Sequence, residues 1–122
     1  MSAFDDLAAI RPLPIWDGIV ARSVVGEEMT MAIVELDPGA VAAEHSHPNE
    51  QLGFVISGTI SFRIGDEMRR LEPGGTYAIP GGVAHEATAG PDGCVVMDVF
   101  APPRHDWDRF EPEEPRAPRW PS

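Results

Sequence analysis

Residues 39–58 read GAVAAEHSHPNEQLGFVISG. Alternate residues of a β-strand point to the same face, so His45 and His47 can approach one point from one side of the chain. Gln51 follows four residues after His47 and can add an oxygen from the next strand. The stretch therefore predicts that the side chains of His45, His47 and Gln51 converge on a single ligand site.

A second stretch, residues 74–89, reads GGTYAIPGGVAHEATA and contains another histidine, His85. Glycine supplies positive φ angles and proline fixes φ, so the turns on both sides of this short strand let the chain return to the same interior point. Imidazole nitrogens and an amide oxygen are ligands for Mn, Fe, Ni, Cu or Zn. We expect His45, His47, Gln51 and His85 to bind one divalent transition-metal ion.

Each of these side chains also has a simpler interpretation. Histidines are common on surfaces, and Gln51 could hydrogen-bond to a ligand instead of binding the ion itself, or could simply be a buried glutamine. Glu50 is next to Gln51, but strand alternation turns it to the opposite face, where a solvated carboxylate is expected. His105 lies far along the chain and is expected to be exposed.

Outside these stretches the chain has the pattern of an all-β protein. Thirteen prolines and twelve glycines separate short apolar runs rich in β-branched residues, which is typical of a sandwich or barrel. With 122 residues, one domain is expected. The predicted strands cover residues 18–25, 29–36, 51–57, 59–65, 68–71, 76–79, 84–88 and 94–101.

The two ends differ from this pattern. Residues 1–14 form an N-terminal arm with a weak helical pattern from Phe4 to Ile10, and we expect the arm to take part in a homodimer contact. Residues 1–104, with this arm, form the predicted barrel domain. Residues 105–122 contain four prolines and five acidic residues, which predicts an acidic tail that is extended or disordered unless a partner subunit holds it.

Composition excludes several classes of function. The formal charge is −11, and no basic stripe is present, so nucleic acid is not an expected partner. All nine basic residues are arginine, which excludes chemistry that needs a lysine amine, such as Schiff-base formation. Cys94 is the single cysteine. The single cysteine, the acidic N-terminus and the lack of a long apolar run together predict a soluble, cytoplasmic protein without a membrane segment.

A third group of candidate residues occurs near residue 100. Asp98 interrupts an apolar strand, where burial of a carboxylate is costly unless it is paired or has a function. Phe100 shares its strand face, and Arg104 follows a double proline. Two interpretations remain open: a structural Asp98–Arg104 ion pair, or a catalytic acid or base beside an anion-binding guanidinium.

The double histidine pattern of residues 39–89 resembles the two sequence motifs of the cupin superfamily. This resemblance implies a double-stranded β-helix, or jelly-roll barrel, in a single domain, with one bound metal ion. Two positions depart from the family pattern. Gln51 stands where a glutamate ligand is expected, and Ala89 stands where an asparagine is expected after the last histidine.

Three strings narrow the resemblance: HSHPNEQ from His45, VISG from Val55 and DVFAPPR from Asp98. They are similar to the pectin-degradation cupins, which linearise unsaturated monouronates, and the similarity spans about residues 16–110. It implies that His45, His47, Gln51 and His85 bind the metal. It also implies that Asp98, Phe100 and Arg104 are needed for activity.

The resemblance implies an isomerase- or lyase-type enzyme that opens 4,5-unsaturated uronates, with an anionic sugar acid as substrate. Neutral ligands leave a divalent ion its full charge, which favours Lewis-acid chemistry over oxygen chemistry. A metal-dependent dioxygenase is the alternative enzyme, and a non-catalytic cupin that binds a small ligand is the alternative outside enzymes.

Overall fold

The computed structural model describes residues 2–121, which form one antiparallel sheet of eight strands folded into a barrel. Met1, the first residue of the predicted arm, and Ser122, the last residue of the predicted tail, lie outside this range. Two single-turn 3-10 helices span Leu7–Ala9 and His105–Arg109. The strands are β1 (Leu13–Trp16), β2 (Ile19–Val25), β3 (Thr30–Leu36), β4 (Val41–His45), β5 (Glu50–Ile64), β6 (Glu67–Leu71), β7 (Thr76–Ile79) and β8 (His85–Ala101).

Two long strands, β5 and β8, pair along most of their length and carry the fold. The strand order is β1-β2-β3-β8-β5-β6, while β4 pairs with β8 and β7 pairs with β5. The first half of β8 lies between β4 and the end of β5, and its second half lies between β3 and the start of β5. Each long strand therefore runs through both opposite walls of the barrel, as in a jelly roll. The predicted all-β fold is confirmed.

The bend in the long strands occurs at a glycine. Register shifts interrupt the β5–β8 ladder between Val55 and Ser57 and between Gly58 and Ile60. Gly58 has φ 74°, and a Cβ atom there would lie 2.1 Å from the Gly93 carbonyl oxygen. The close approach requires glycine at this bulge, and the bulge turns the strand from one wall to the other.

The predicted strands differ from the observed ones in four places. Residues 51–57 and 59–65 are one bent strand, as are residues 84–88 and 94–101, because a bulge redirects a strand without ending it. β1 and β4 were not predicted. Pro14 lies within β1, an edge strand where proline is tolerated, and β4 is alanine-rich with a polar end. The helical pattern from Phe4 to Ile10 yields only the turn Leu7–Ala9.

The inward faces of the strands form the core, which includes Ile19, Val34, Val55, Ile60 and Ile79. The burial of Ile60 and Phe62, with Ser61 exposed, agrees with the alternation expected for that strand. No helix among residues 2–121 is long and apolar enough to cross a membrane.

The C-terminal segment packs against the chain's own barrel. Glu113 donates a backbone hydrogen bond to Pro12, and Arg22 donates to the Arg116 carbonyl at 2.9 Å. Arg119 reaches the Leu36 carbonyl at 2.8 Å. The expected need for a partner subunit is therefore corrected: backbone carbonyls and arginine side chains, which the apolar content of the segment did not reveal, hold this segment against the sheet.

A buried ion pair lies under this segment. Arg22 on β2 and Glu35 on β3 face outward and form a salt bridge, and both side chains are almost fully buried. The backbone nitrogen of Arg119 also donates to Glu35 at 3.0 Å. A buried charge pair needs such additional hydrogen bonds to offset its lost hydration. The C-terminal segment thus supplies part of the environment that this pair requires.

Candidate metal centre and active-site cavity

Three histidines meet at one end of the barrel interior. His45 ends β4 and His85 begins β8, and the two are direct partners across that ladder. His47 lies in the loop before β5. The ring centroids are 4.3 Å apart for His45 and His85, and 4.9 Å apart for His47 and His85. One candidate ligand nitrogen from each histidine lies within 4.8 Å of the others.

Backbone carbonyls orient all three rings in the same way. The Nδ1 atoms of His45, His47 and His85 lie 2.7 Å, 3.0 Å and 2.9 Å from the carbonyl oxygens of Ala43, Asn49 and Val83. A carbonyl only accepts, so each Nδ1 carries the proton and each Nε2 presents a lone pair. This is the arrangement that fixes metal-binding imidazoles in proteins.

The Nε2 atom of His85 is buried without a hydrogen-bond partner among residues 2–121. A buried nitrogen without a partner is costly unless something else satisfies it. The side-chain oxygen of Gln51, near the start of β5, lies 3.1 Å from the Nε2 of His47. An ion held at about 2.1 Å by two atoms at right angles leaves those atoms about 3 Å apart. The residues present therefore fit a metal ion.

The protonation states of the histidines agree with this fit. Burial lowers the pKa of His47, and the nearby Arg104 guanidinium lowers it further. Burial also lowers the pKa of His85 to about 4, and the charges of the neighbouring histidines act in the same direction. Both rings are therefore neutral at physiological pH, which is the form that binds metals.

Asp98 lies on the inner face of β8 and is 6 % exposed. Burial raises its pKa from 3.8 to about 6, although hydrogen bonds from Tyr77 and Gln51 and the charge of Arg104 act in the opposite direction. The Tyr77 hydroxyl donates to Asp98 Oδ1 at 2.5 Å. Gln51 therefore presents its oxygen to His47 and also lowers the pKa of Asp98, which links the histidine cluster to the carboxylate.

Arg104 does not form the ion pair with Asp98 that one interpretation of the sequence offered. Its Nε and Nη2 atoms bind the two oxygens of Asp106 at 3.0 Å and 2.9 Å. The guanidinium carbon lies 4.7 Å from the centre of the Phe100 ring and 4.5 Å from that of Trp107. Asp106 is the partner because the 3-10 turn after Arg104 folds it back within reach, and no signal in the sequence indicated that turn.

Asn49 connects the histidine loop to the segment before Arg104. Its backbone oxygen accepts the His47 hydrogen bond, and its side-chain amide donates to the Pro102 carbonyl at 2.5 Å. The side chain is buried. Asn49 was not among the predicted site residues, and it sets the position of His47 relative to the arginine.

These groups, apart from Tyr77, border a single cavity of about 630 Å³. The cavity is lined by the histidines, Gln51, Asp98, Phe100 and Arg104, and by the aromatic rings of Trp16, Trp107 and Phe110. His105 also borders it but is an exposed residue, as expected. The volume suits a ligand of monosaccharide size. The polar side chains, the guanidinium groups of Arg104 and Arg109 and the aromatic rings that line this cavity are features suited to an anionic sugar.

Comparisons with known proteins agree with this geometry. The family model described as a cupin domain matches residues 32–100. An uncharacterized protein of Streptomyces coelicolor, SCO3923, is 30% identical over 105 residues, which is 84% of this chain and 98% of that protein. The pectin degradation protein KdgF of Dickeya dadantii is 28% identical over 93 residues, which is 75% of this chain and 84% of that protein.

Two solved structures have the same fold. KdgF from Halomonas sp. superposes with a TM-score of 0.79 at 28% identity, covering 87% of this chain and 98% of that one. An RmlC-like cupin from Shewanella frigidimarina superposes with a TM-score of 0.81 at 23% identity, covering 88% and 96%. The second likeness concerns the fold alone.

Proposed function

The chain belongs to the cupin family, and from this premise we propose that it is a metal-dependent enzyme that opens the ring of 4,5-unsaturated uronates to give linear keto-uronates. One observation carries the proposal. A buried carboxylate, Asp98, borders the same cavity as the histidine cluster and a guanidinium, Arg104. These are the groups needed to move a proton, stabilise an oxygen anion and bind a carboxylate.

His45, His47, His85 and Gln51 would hold the ion. All four are neutral donors, so a divalent Mn, Fe, Ni, Cu or Zn ion keeps its charge and, when bound, supplies a Lewis acid for an oxygen that becomes negative. The carbonyl contacts of the three Nδ1 atoms keep the imidazoles in the ligating tautomer. The chain thus contributes a rigid set of donors within the cavity.

Arg104 is the group suited to bind the substrate carboxylate. Asp106 occupies two of its nitrogens, and Nη1 takes no part in that pair. Contacts with the neighbouring rings of Phe100 and Trp107 hold the guanidinium in place, and its side chain is only 10% exposed, which strengthens a charge-assisted contact. This local charge opposes the mean field of a chain with a net charge of −11, because screening at physiological salt acts over about 8 Å.

Asp98 is the proton carrier. In the ring-opening step the bond between C1 and the ring oxygen breaks, the C1 hydroxyl loses its proton, and C1 becomes an aldehyde. The ring oxygen remains on C5 as an enolate, and protonation of C4 converts it to a ketone. The proton lost from the C1 hydroxyl balances the proton gained at C4, so one carboxyl with a pKa of about 6 can serve both transfers near neutral pH.

The similarity to two proteins named KdgF, one of them a pectin degradation protein, supports this substrate class. The decisive experiment is to mix the metal-loaded protein with unsaturated galacturonate and to follow the loss of the conjugated double bond. Oxygen uptake in the same assay would favour a dioxygenase. Ligand binding without turnover would favour a binding protein.

We also propose that the protein is a homodimer. An uncharged row crosses the outer face of the sheet, where Val24 on β2 pairs with Met31 on β3, Met31 with Val99 on β8, and Val99 with Leu52 on β5. Val24, Met31 and Leu52 are 52%, 41% and 48% exposed. A second copy presents a matching uncharged row, so two chains can approach here despite their net charge. Phe4 of the N-terminal arm is 88% exposed and could add to the contact.

A further inference from the structure

Three residues on neighbouring strands lie in one cross-strand row on the inner face of the sheet. Gly53 on β5 is the direct partner of Tyr77 on β7 and of Asp98 on β8. The side chains of Tyr77 and Asp98 extend toward each other above Gly53, and the phenol hydroxyl donates to Asp98 Oδ1 at 2.5 Å. Residues two strands apart make this contact because the strand between them has no side chain at that position.

Glycine is required at position 53 for a steric reason. A Cβ atom there would lie 2.3 Å from Asp98 Oδ1 and 2.6 Å from two carbons of the Tyr77 ring. Both distances are far below van der Waals contact, so even alanine would drive the two side chains apart. Glycine within a strand weakens the strand and commonly marks a close approach. Here the close approach is between the tyrosine and the carboxylate.

We propose that Tyr77 is a positioning residue for the reaction, and that Gly53 forms the gap through which its hydroxyl fixes the direction of the Asp98 carboxylate. The inference rests on the proposed function, in which Asp98 carries the proton. Tyr77 itself is held by its ring, which packs against Phe62 with centroids 4.4 Å apart. A ring fixed by packing aims its hydroxyl at one place, and a general acid or base depends on such aim.

The first test is Tyr77→Phe, which keeps the ring and removes only the hydroxyl. Expected results are a fall in kcat of about tenfold or more, because a hydrogen bond to a charged group is lost, with KM changed less than about twofold. Metal content and thermal melting should stay near those of the wild type. Wild-type kcat in Tyr77→Phe would overturn the inference.

The matched control is Ser23→Ala. Ser23 lies on β2 opposite Ala32, which is the partner of Asp98 on the other side of the row. Its hydroxyl is buried and has no hydrogen-bond partner in the described part of the chain. Loss of a hydroxyl here should leave kcat unchanged. An equal fall in kcat for both variants would mean that any polar loss in this row is harmful, and the specific role of Tyr77 would be refuted.

Coupling between the variants separates positioning from general damage. If Tyr77 acts through Asp98, Tyr77→Phe should cause no further loss of kcat in an Asp98→Asn background. Additive losses of kcat in this double-mutant cycle would contradict the inference.

A structural readout keeps this inference distinct from the proposed function. If the wild-type protein linearises no unsaturated uronate, the proposed function fails. Crystal structures of metal-loaded wild type and Tyr77→Phe then decide the positioning role alone. Rotation of the Asp98 carboxylate away from its wild-type position in the variant supports it, and an unmoved carboxylate overturns it.

Discussion

The Nε2 atom of His47 and the side-chain oxygen of Gln51 lie 3.1 Å apart. Two neutral atoms at this distance either share a hydrogen or point at a third partner. The Nδ1 of His47 lies 3.0 Å from the Asn49 carbonyl oxygen, which leaves a lone pair, not a proton, on Nε2. An amide oxygen and an imidazole lone pair repel each other, so a cation between them is the natural partner.

We therefore expect the purified protein to contain about one transition-metal ion per chain. His47→Ala and His85→Ala should each retain less than about one-tenth of that content, because both remove a buried ligand atom. His105→Ala, which removes an exposed histidine, is the control and should retain all of it. Elemental analysis of protein made without a histidine tag or chelator measures this. A metal-free wild type that cannot be reloaded would show that the site is not a metal centre.

Gln51→Glu tests why an amide stands at this position. Gln51 lowers the pKa of Asp98, whereas a glutamate would place a second carboxylate there and repel the first. We expect the variant to keep its metal and to lose about tenfold or more in turnover. Glu50→Gln changes a neighbouring exposed residue and should behave as wild type. Equal activity of Gln51→Glu and wild type would remove the proposed link between Gln51 and Asp98.

The raised pKa of Asp98 predicts a pH dependence of stability in the metal-free protein. Burial raises the folded-state pKa from 3.8 to about 6, so the folded protein binds this proton more tightly than the unfolded chain does. Stability then falls, relative to Asp98→Asn, as the pH rises from about 4 to about 6, and the difference stays constant above that range. Denaturant unfolding of both proteins across this range measures the difference. If the difference in unfolding free energy between the two proteins does not change with pH, folding does not raise the pKa of Asp98.

The predicted homodimer should have twice the mass of the 13.2 kDa chain in light scattering at micromolar concentration. Leu52→Glu places a charge in the uncharged row and should convert the dimer to a monomer. Met68→Glu is the matched control, because Met68 is 67% exposed on β6, outside that row, and should leave the dimer intact. A monomeric wild type would refute the proposed dimer.

The sequence predicted the site better than it predicted the parts that support it. The convergence of His45, His47 and His85 was predicted from local properties of the chain, although His47 lies in the loop before β5 and not, as the parity argument assumed, in the same strand as His45. The contact between Tyr77 and Asp98 depends on which strands become neighbours, and Gly53 mediates it only after they pair. Such a contact joins residues that are distant in the sequence, so no local pattern reveals it.

The C-terminal segment is a second case in which contacts between distant residues could not be predicted from local sequence. Composition predicted an unsupported tail, because residues 105–122 have few apolar side chains. Trp107, however, is buried beside Phe100, and arginine side chains and backbone carbonyls hold the remainder. Two well-placed aromatic rings, Trp107 and Phe110, and several long-range hydrogen bonds replaced the apolar content that the prediction required.

The central claim is that this cavity opens the ring of unsaturated uronates with Asp98 as the proton carrier. The most direct measurement is the rate at which metal-loaded wild type and metal-loaded Asp98→Asn remove the conjugated double bond of 4,5-unsaturated galacturonate, compared with the spontaneous rate. We predict clear acceleration by the wild type and a loss of about 100-fold or more in the variant, with metal content unchanged. A wild-type rate equal to the spontaneous rate with each of the five metals, or full activity in Asp98→Asn, would contradict the account.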